Sequence, residues 1–206
     1  MKKYTIIFFM LLIYYTVWAY QIQIPKAVAH PHIFISQQLN LVFNDDGLAG
    51  IKVSWKFDDM FASMIAKDHD KNQNGKFETN EIQTVKEKAF SFISEHSYFT
   101  FIKIENKAFF VKTIKDFNAI LEKKKLIYEF FVPCQVLAAN KAKKISVATY
   151  DPTYYTAIYF TQKEPFSIVG ADSFLVKTDL KEDPDTKIYF DMIHPWTLFV
   201  EFQQKI

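Results

Sequence analysis

The sequence predicts an α+β chain, mainly antiparallel β as a sandwich or open barrel, carrying a helix–loop–helix insertion of EF-hand type. Three observations lead there. Short runs rich in aromatic and β-branched residues recur at close spacing. Turn residues separate most of them. One stretch, residues 58–95, abandons alternation for helical spacing. The chain has 206 residues, with 22 Phe and 11 Tyr but only four Gly. That is bulk enough for a core and argues against long disorder.

The first segment does not belong to the fold. Lys2 and Lys3 open the chain, Ile6 to Tyr20 is an almost unbroken apolar run, and Ala27 and Ala29 follow as the small residues of a signal-peptidase site. The reading is a secretory signal over residues 1–29, a periplasmic location, and His30 as the mature amino terminus. An earlier cut after Ala19 is the competing site. An uncleaved anchor is the alternative, the run being a little short of the ~20 residues that a span needs. Residues 30–206 then form a single β-rich domain with the insertion at about 58–95. Cleavage removes Lys2, Lys3 and Lys26 and no acid, taking the net charge from +2 to −1. Such a chain lacks the basic balance that a nucleic-acid partner needs, and no second apolar run is long enough to span a membrane. One cysteine, Cys134, excludes an internal disulfide. It follows Pro133 in an apolar strand context and reads as a buried thiol.

The strands follow in order. HIFISQQLNLVF (32–43) carries Phe34, Leu39, Leu41 and Phe43, its alternation broken once near Ser36 and Gln37. Asn44-Asp45-Asp46-Gly47 is turn chemistry, and LAGIKVSWKF (48–57) runs back to close a hairpin. Residues 98–112 predict a second hairpin turning at Glu105-Asn106-Lys107. KLIYEFFV (125–132), KISVATY (144–150), TAIYF (156–160) and FSIVG (166–170) add short strands. SFLVKT, KIYFDM and TLFVEF complete the tail. No internal repeat is present.

In the insertion, Met60, Phe61, Met64 and Ile65 recur at helical spacing, as do Ile82, Val85, Ala89, Phe92 and Ile93. Between them DKNQNGKFETNE (70–81) matches the twelve-residue calcium loop. Asp70, Asn72 and Asn74 stand at positions 1, 3 and 5, and Gly75 at position 6 supplies the sharp turn. Lys76 at position 7 offers its backbone carbonyl. Phe77 pins the loop to a core, Glu78 binds directly or through water, and Glu81 at position 12 clamps with both oxygens. Three acids, two amides and the nearby Lys71 and Lys76 make a weak cage, so the expected dissociation constant is about 10⁻⁴ to 10⁻³ M. Asp116-Phe117-Asn118 and Asp183-Pro184-Asp185 lack the glycine of a second hand. A solitary hand braces a domain rather than opening a groove.

At the mature front, AVAHPHIF (27–34) places two histidines around a proline. The amine and ring of His30, with His32, suit zinc, copper or nickel. Pro31 has no amide hydrogen, which closes the square geometry that uses backbone amides. His194, in Ile193-His194-Pro195-Trp196, is a candidate remote ligand. The ordinary alternative for His30 and His32 is a pair of solvated end residues entering the first strand. Tyr150-Asp151-Pro152-Thr153-Tyr154-Tyr155 reads as a turn leading into a strand, with Asp151 bonded to its own backbone; the functional alternative is an aromatic and carboxylate patch beside those histidines.

These segments together — the export signal ending in HPHIFI, the NDDG turn, WKFDDMF, one calcium loop and YDPTYY — resemble the bacterial periplasmic family catalogued as domain of unknown function 1007. The resemblance covers essentially the whole mature chain. That family is labelled a periplasmic component of an uncharacterised ABC-type transport system and is associated with nickel/cobalt-type permeases. The resemblance therefore implies a part in metal-ion traffic with an inner-membrane permease as partner. Many members carry a loop richer in Asp than Asn72 and Asn74 make this one.

The expected function is a non-enzymatic, calcium-binding periplasmic accessory of a nickel, cobalt or zinc transport system. One alternative is a copper oxidase or oxygenase built on an amino-terminal histidine brace. Another is a calcium-braced interaction module. No nucleophile-elbow pattern and no glycine-rich phosphate loop occur.

Overall fold

The first hairpin forms where its turn chemistry lies. A computed structural model of the chain describes residues 31–205; the expected signal over residues 1–29 and His30 fall outside them. β1 (Ile33–Asn44) returns as β2 (Gly47–Phe57) through Asp45 and Asp46. The Asn44 side-chain oxygen accepts from the backbone N–H groups of Asp46 and Gly47, each at 3.1 Å, an Asx turn that sets the reversal. Asp58 then caps α1 (Asp59–His69), accepting from Met60 and Phe61 N–H at 2.9 Å. Its second oxygen accepts from Phe34 N–H, which ties the helix start to β1.

The second helix is short. α2 (Thr79–Val85) runs into a π-helical turn at Lys86–Phe90 and a 3₁₀ stretch at Ser91–Phe99 that is kinked at His96–Tyr98. Thereafter the chain is β: β3 (Thr100–Ile104), β4 (Lys107–Phe109), β5 (Lys115–Glu122), β6 (Lys125–Leu137), β7 (Lys143–Thr149), β8 (Thr156–Phe160), β9 (Phe166–Val169), β10 (Phe174–Glu182) and β11 (Trp196–Gln204).

These strands make two open sheets. A six-stranded mixed sheet has the order β5-β6-β2-β1-β8, with β9 also against β1. β8 and β9 both pair with β1 in parallel, end to end along it. A five-stranded antiparallel sheet has the order β10-β11-β7-β3-β4. One core joins them: Leu41, Phe43 and Trp55 of the first sheet share a buried cluster with Val147, Leu198 and Phe202 of the second. The Phe43 ring meets Phe174 and Phe202 with centroids 5.4 and 5.1 Å away. Cys134 lies in this core, and burial pushes its thiol up to about 12, as an inert thiol requires.

Four expectations change. The apparent break in β1 is no break: Ile35, Gln37, Leu39, Leu41 and Phe43 are all buried, so Gln37 is a polar residue at a core position. KIYFDM is not a strand; Tyr189, Phe190 and Asp191 have φ of 53° to 64° and reverse the chain, leaving one bridge from Ile188 to Ile193. β5 occupies residues that carried no strand signal. Along the helical segments Met60, Met64 and Phe92 face outward, while Ala62, Ile65, Val85 and Ile93 are buried.

Candidate functional site

Two places gather the residues singled out by sequence. The first is the loop between α1 and α2. Asp70 and Glu81 are 8% and 4% exposed, and both carboxylates turn into the loop. Asp70 Oδ2 accepts from Gly75 N–H at 2.9 Å and Oδ1 from Asn74 N–H at 3.2 Å. Glu81 Oε1 accepts from Lys71 N–H at 2.7 Å, and Oε2 from Glu78 N–H at 3.0 Å. Asn72 Oδ1 accepts from Asn74 N–H, and Asn74 Oδ1 from Lys76 N–H, at 3.0 and 2.9 Å. Each oxygen so placed keeps a second lone pair. Gly75 adopts φ +79°, and Phe77 and Ile82 pack against the core.

Glu78 is exposed. Its carboxyl is held below the usual range by a side-chain hydrogen bond with Glu81 and then by the amides of Asn72 and Asn74. Among the described residues, however, no three His, Cys, Asp or Glu side chains converge as one metal cluster. The loop oxygens are ordered mainly by backbone N–H groups and amides.

The second place is a cleft of about 270 Å³ whose lining includes Pro31, Gln37, Thr149, Tyr154, Tyr189 and His194. His32 stands beside it, its backbone N–H donating to the Tyr155 carbonyl at 2.8 Å and its ring 4.9 Å from the Tyr155 ring. Thus the HPHIFI segment, the YDPTYY segment and the His194 segment meet in space. His194 Nδ1 lies 2.9 Å from the Thr186 carbonyl and 3.1 Å from that of Asp183. Carbonyls only accept, so Nδ1 carries the hydrogen and Nε2 keeps a free lone pair. Asp151 is 1% exposed, and accepts from Thr153 N–H, the Thr153 hydroxyl and Thr156 N–H. It is the self-bonded turn aspartate, not a cleft ligand.

Asp183 anchors the segment that carries His194. Burial raises its carboxyl, but hydrogen bonds from the Thr186 hydroxyl and Asp185 N–H, with Lys103 at 3.5 Å, outweigh that and hold it below the usual range. Gln37, Thr149 and Tyr189 were not legible as site residues. The one sequence signal was the polar residue interrupting the β1 alternation.

A family model described as a protein of unknown function, DUF1007, matches residues 15–189. The chain belongs to the DUF1007 family. An uncharacterised 15.5 kDa protein from the trpE 3′ region of Spirochaeta aurantia is 28% identical to this DUF1007 chain over 136 residues, 66% of the chain and 96% of that protein. An uncharacterised protein of Haemophilus influenzae is 28% identical over 138 residues, covering 66% of the chain and 65% of its own length. The family match takes in the DUF1007 calcium-loop candidate and most of the cleft, and ends before His194.

Proposed function

We propose that this DUF1007 protein is an exported calcium-binding protein acting without an enzymatic step, as a metal-binding accessory of a transition-metal transport system in the periplasm. The observation that carries the calcium assignment is the burial of Asp70 and Glu81 without a cationic partner. Neither is in any of the four ion pairs among the described residues. Burying an unpaired carboxylate costs several kcal/mol, and a hard divalent cation offsets that cost. Asp70, Asn72, Asn74, the Lys76 carbonyl, Glu78 and Glu81 would hold the ion at the EF-hand positions. Their oxygen-only chemistry fits calcium. The ion's role here is to brace the two helices.

Calcium titration by calorimetry tests this. The mature protein is expected to bind one calcium with a dissociation constant of about 10⁻⁴ to 10⁻³ M. Glu81→Gln is expected to abolish it. Unchanged calcium uptake by Glu81→Gln would sink the loop assignment.

The transition-metal part rests on histidine placement. Pro31 and His194 share the cleft, His32 borders it, and His194 has the tautomer that leaves Nε2 as a ligand. A chain cut after Ala29 would begin with the amine and ring of His30, the residue before Pro31 in the sequence. Zinc, nickel and copper are the ions suited to such nitrogens. The same adjacency favours a second reading, copper held by a histidine brace for oxidase or oxygenase chemistry. Mass spectrometry of the mature terminus, followed by metal titration of wild type, His30→Ala, His32→Ala and His194→Ala, tests the site. Oxygen consumption with ascorbate separates the two readings. No transition-metal binding at all would leave a calcium-braced interaction module.

A further inference from the structure

The cleft has properties that neither metal assignment uses. Gln37 is 1% exposed; its Nε2 donates to Thr149 Oγ1, and its Oε1 is buried without a hydrogen-bond partner. A buried amide oxygen left unpaired costs about 1–3 kcal/mol, which a bound donor would remove. His194 Nε2 is a second acceptor, since Nδ1–H is committed to backbone carbonyls. Gln37 Oε1, which lacks a partner, and Nε2 of the neutral His194 ring both accept from N–H or O–H donors.

The walls select by charge. Tyr150, Tyr154, Tyr159, Phe160, Tyr189 and Trp196 line the space, and among the described residues no Lys, Arg, Asp or Glu side chain does. Aromatic faces attract cations. Behind the tyrosines lies Asp151, buried, bonded only to neutral donors, and in none of the four ion pairs among the described residues. Burial, and after it the Asp151 charge, pushes the Tyr189 hydroxyl up to about 12. The described lining therefore presents aromatic faces with one buried carboxylate behind them. Around it Tyr154, Tyr189, Phe190 and Asp191 all have φ between 53° and 64°. Such backbone costs about 1–3 kcal/mol per residue and recurs at ligand clamps.

We propose that this cleft binds a small protonated amine, which donates N–H to Gln37 Oε1 and His194 Nε2 and rests its charge on the tyrosine and Trp196 faces. The inference does not rest on the transition-metal reading; His194 is the one described side chain with a role in both.

Calorimetric titration of the mature protein, in buffer holding calcium but no transition metal, tests it with n-butylammonium, tetramethylammonium and butyrate. Butylammonium is expected to bind, tetramethylammonium about tenfold more weakly for want of N–H, and butyrate not at all. Gln37→Leu keeps the buried shape and is expected to lower butylammonium affinity about tenfold while leaving a zinc titration unchanged. Trp196→Ala alters a half-exposed rim residue outside the core and is expected to weaken the amine similarly. Absence of amine binding, equal binding of butyrate, equal binding of tetramethylammonium, or no effect of either substitution overturns the proposal.

Discussion

Gln37 shows how one side chain can be visible in a sequence and still be misread. Its strand alternates without interruption from Ile35 to Phe43, and the polar residue looked like a phase break because periodicity scores only apolar positions. The glycines were more legible. At Gly75 a Cβ would meet nothing within 4 Å, so only the positive φ opposes substitution. Gly75→Ala is expected to cost about 1–2 kcal/mol in urea unfolding and to weaken calcium binding. Gly47 is different: a Cβ there would lie 2.3 Å from the Val136 carbonyl oxygen, at φ +141°. Gly47→Ala is expected to cost about 3 kcal/mol by the same measurement. His69 supplies a pH signature. Its Nδ1 is buried without a partner, and desolvation holds the imidazole below its ordinary range. The unfolded chain therefore takes up this proton first as pH falls. The His69 contribution is complete above about pH 6.5 and is lost below it. Thermal melts from pH 7.5 to 5.5 are expected to show that decline, and His69→Gln to flatten it.

Among the elements, those closed by local chemistry were readable and those closed by a partner were not. The β1–β2 turn, the α1 cap at Asp58 and the twelve-residue loop each carry their own hydrogen-bonding side chains. β5 carries none. It reaches β6 through Lys123 and Lys124, both at positive φ, and Lys-Lys is no turn signal. Its strand state comes from pairing with β6 rather than from its own composition. KIYFDM erred in the opposite sense: alternating Ile188, Phe190 and Met192 promised a strand, but residues 189–191 turn the chain back beside the cleft. Asp183 holds that segment by accepting from the Thr186 hydroxyl and Asp185 N–H through its carboxylate and from His194 Nδ1 through its backbone carbonyl. Asp183→Asn is expected to speed amide exchange across residues 183–195 while the β1–β2 hairpin stays protected. Because the Asp183 carboxyl is held low, its contribution is present above the ordinary carboxylate range and disappears as pH drops through the lowered value.

For the whole molecule, the loop proposed to hold calcium is joined to the two sheets by Phe77 and Ile82, which pack against the shared core. A cation bound at the loop is thereby expected to stabilise the domain by mass action. At about 100 times its dissociation constant calcium adds ~2.7 kcal/mol, which is roughly 5–10 °C in Tm for a chain of this length. Differential scanning with and without chelator checks this, and Glu81→Gln is expected to remove the difference. The sequence alone determined the local features: the Asn44 turn, the short loop from Asp70 to Glu81 between two helices, and the buried character of Cys134. All three depend on dihedral preferences or burial over a few neighbouring residues. The tertiary structure alone decided that Gln37 meets Thr149 across 112 positions, and that both line one cleft with Tyr189 and His194. That meeting depends on β8 and β9 lying parallel to β1 and on a second sheet closing over them. Parallel pairing joins segments with no shared turn, so no pattern within either segment records it.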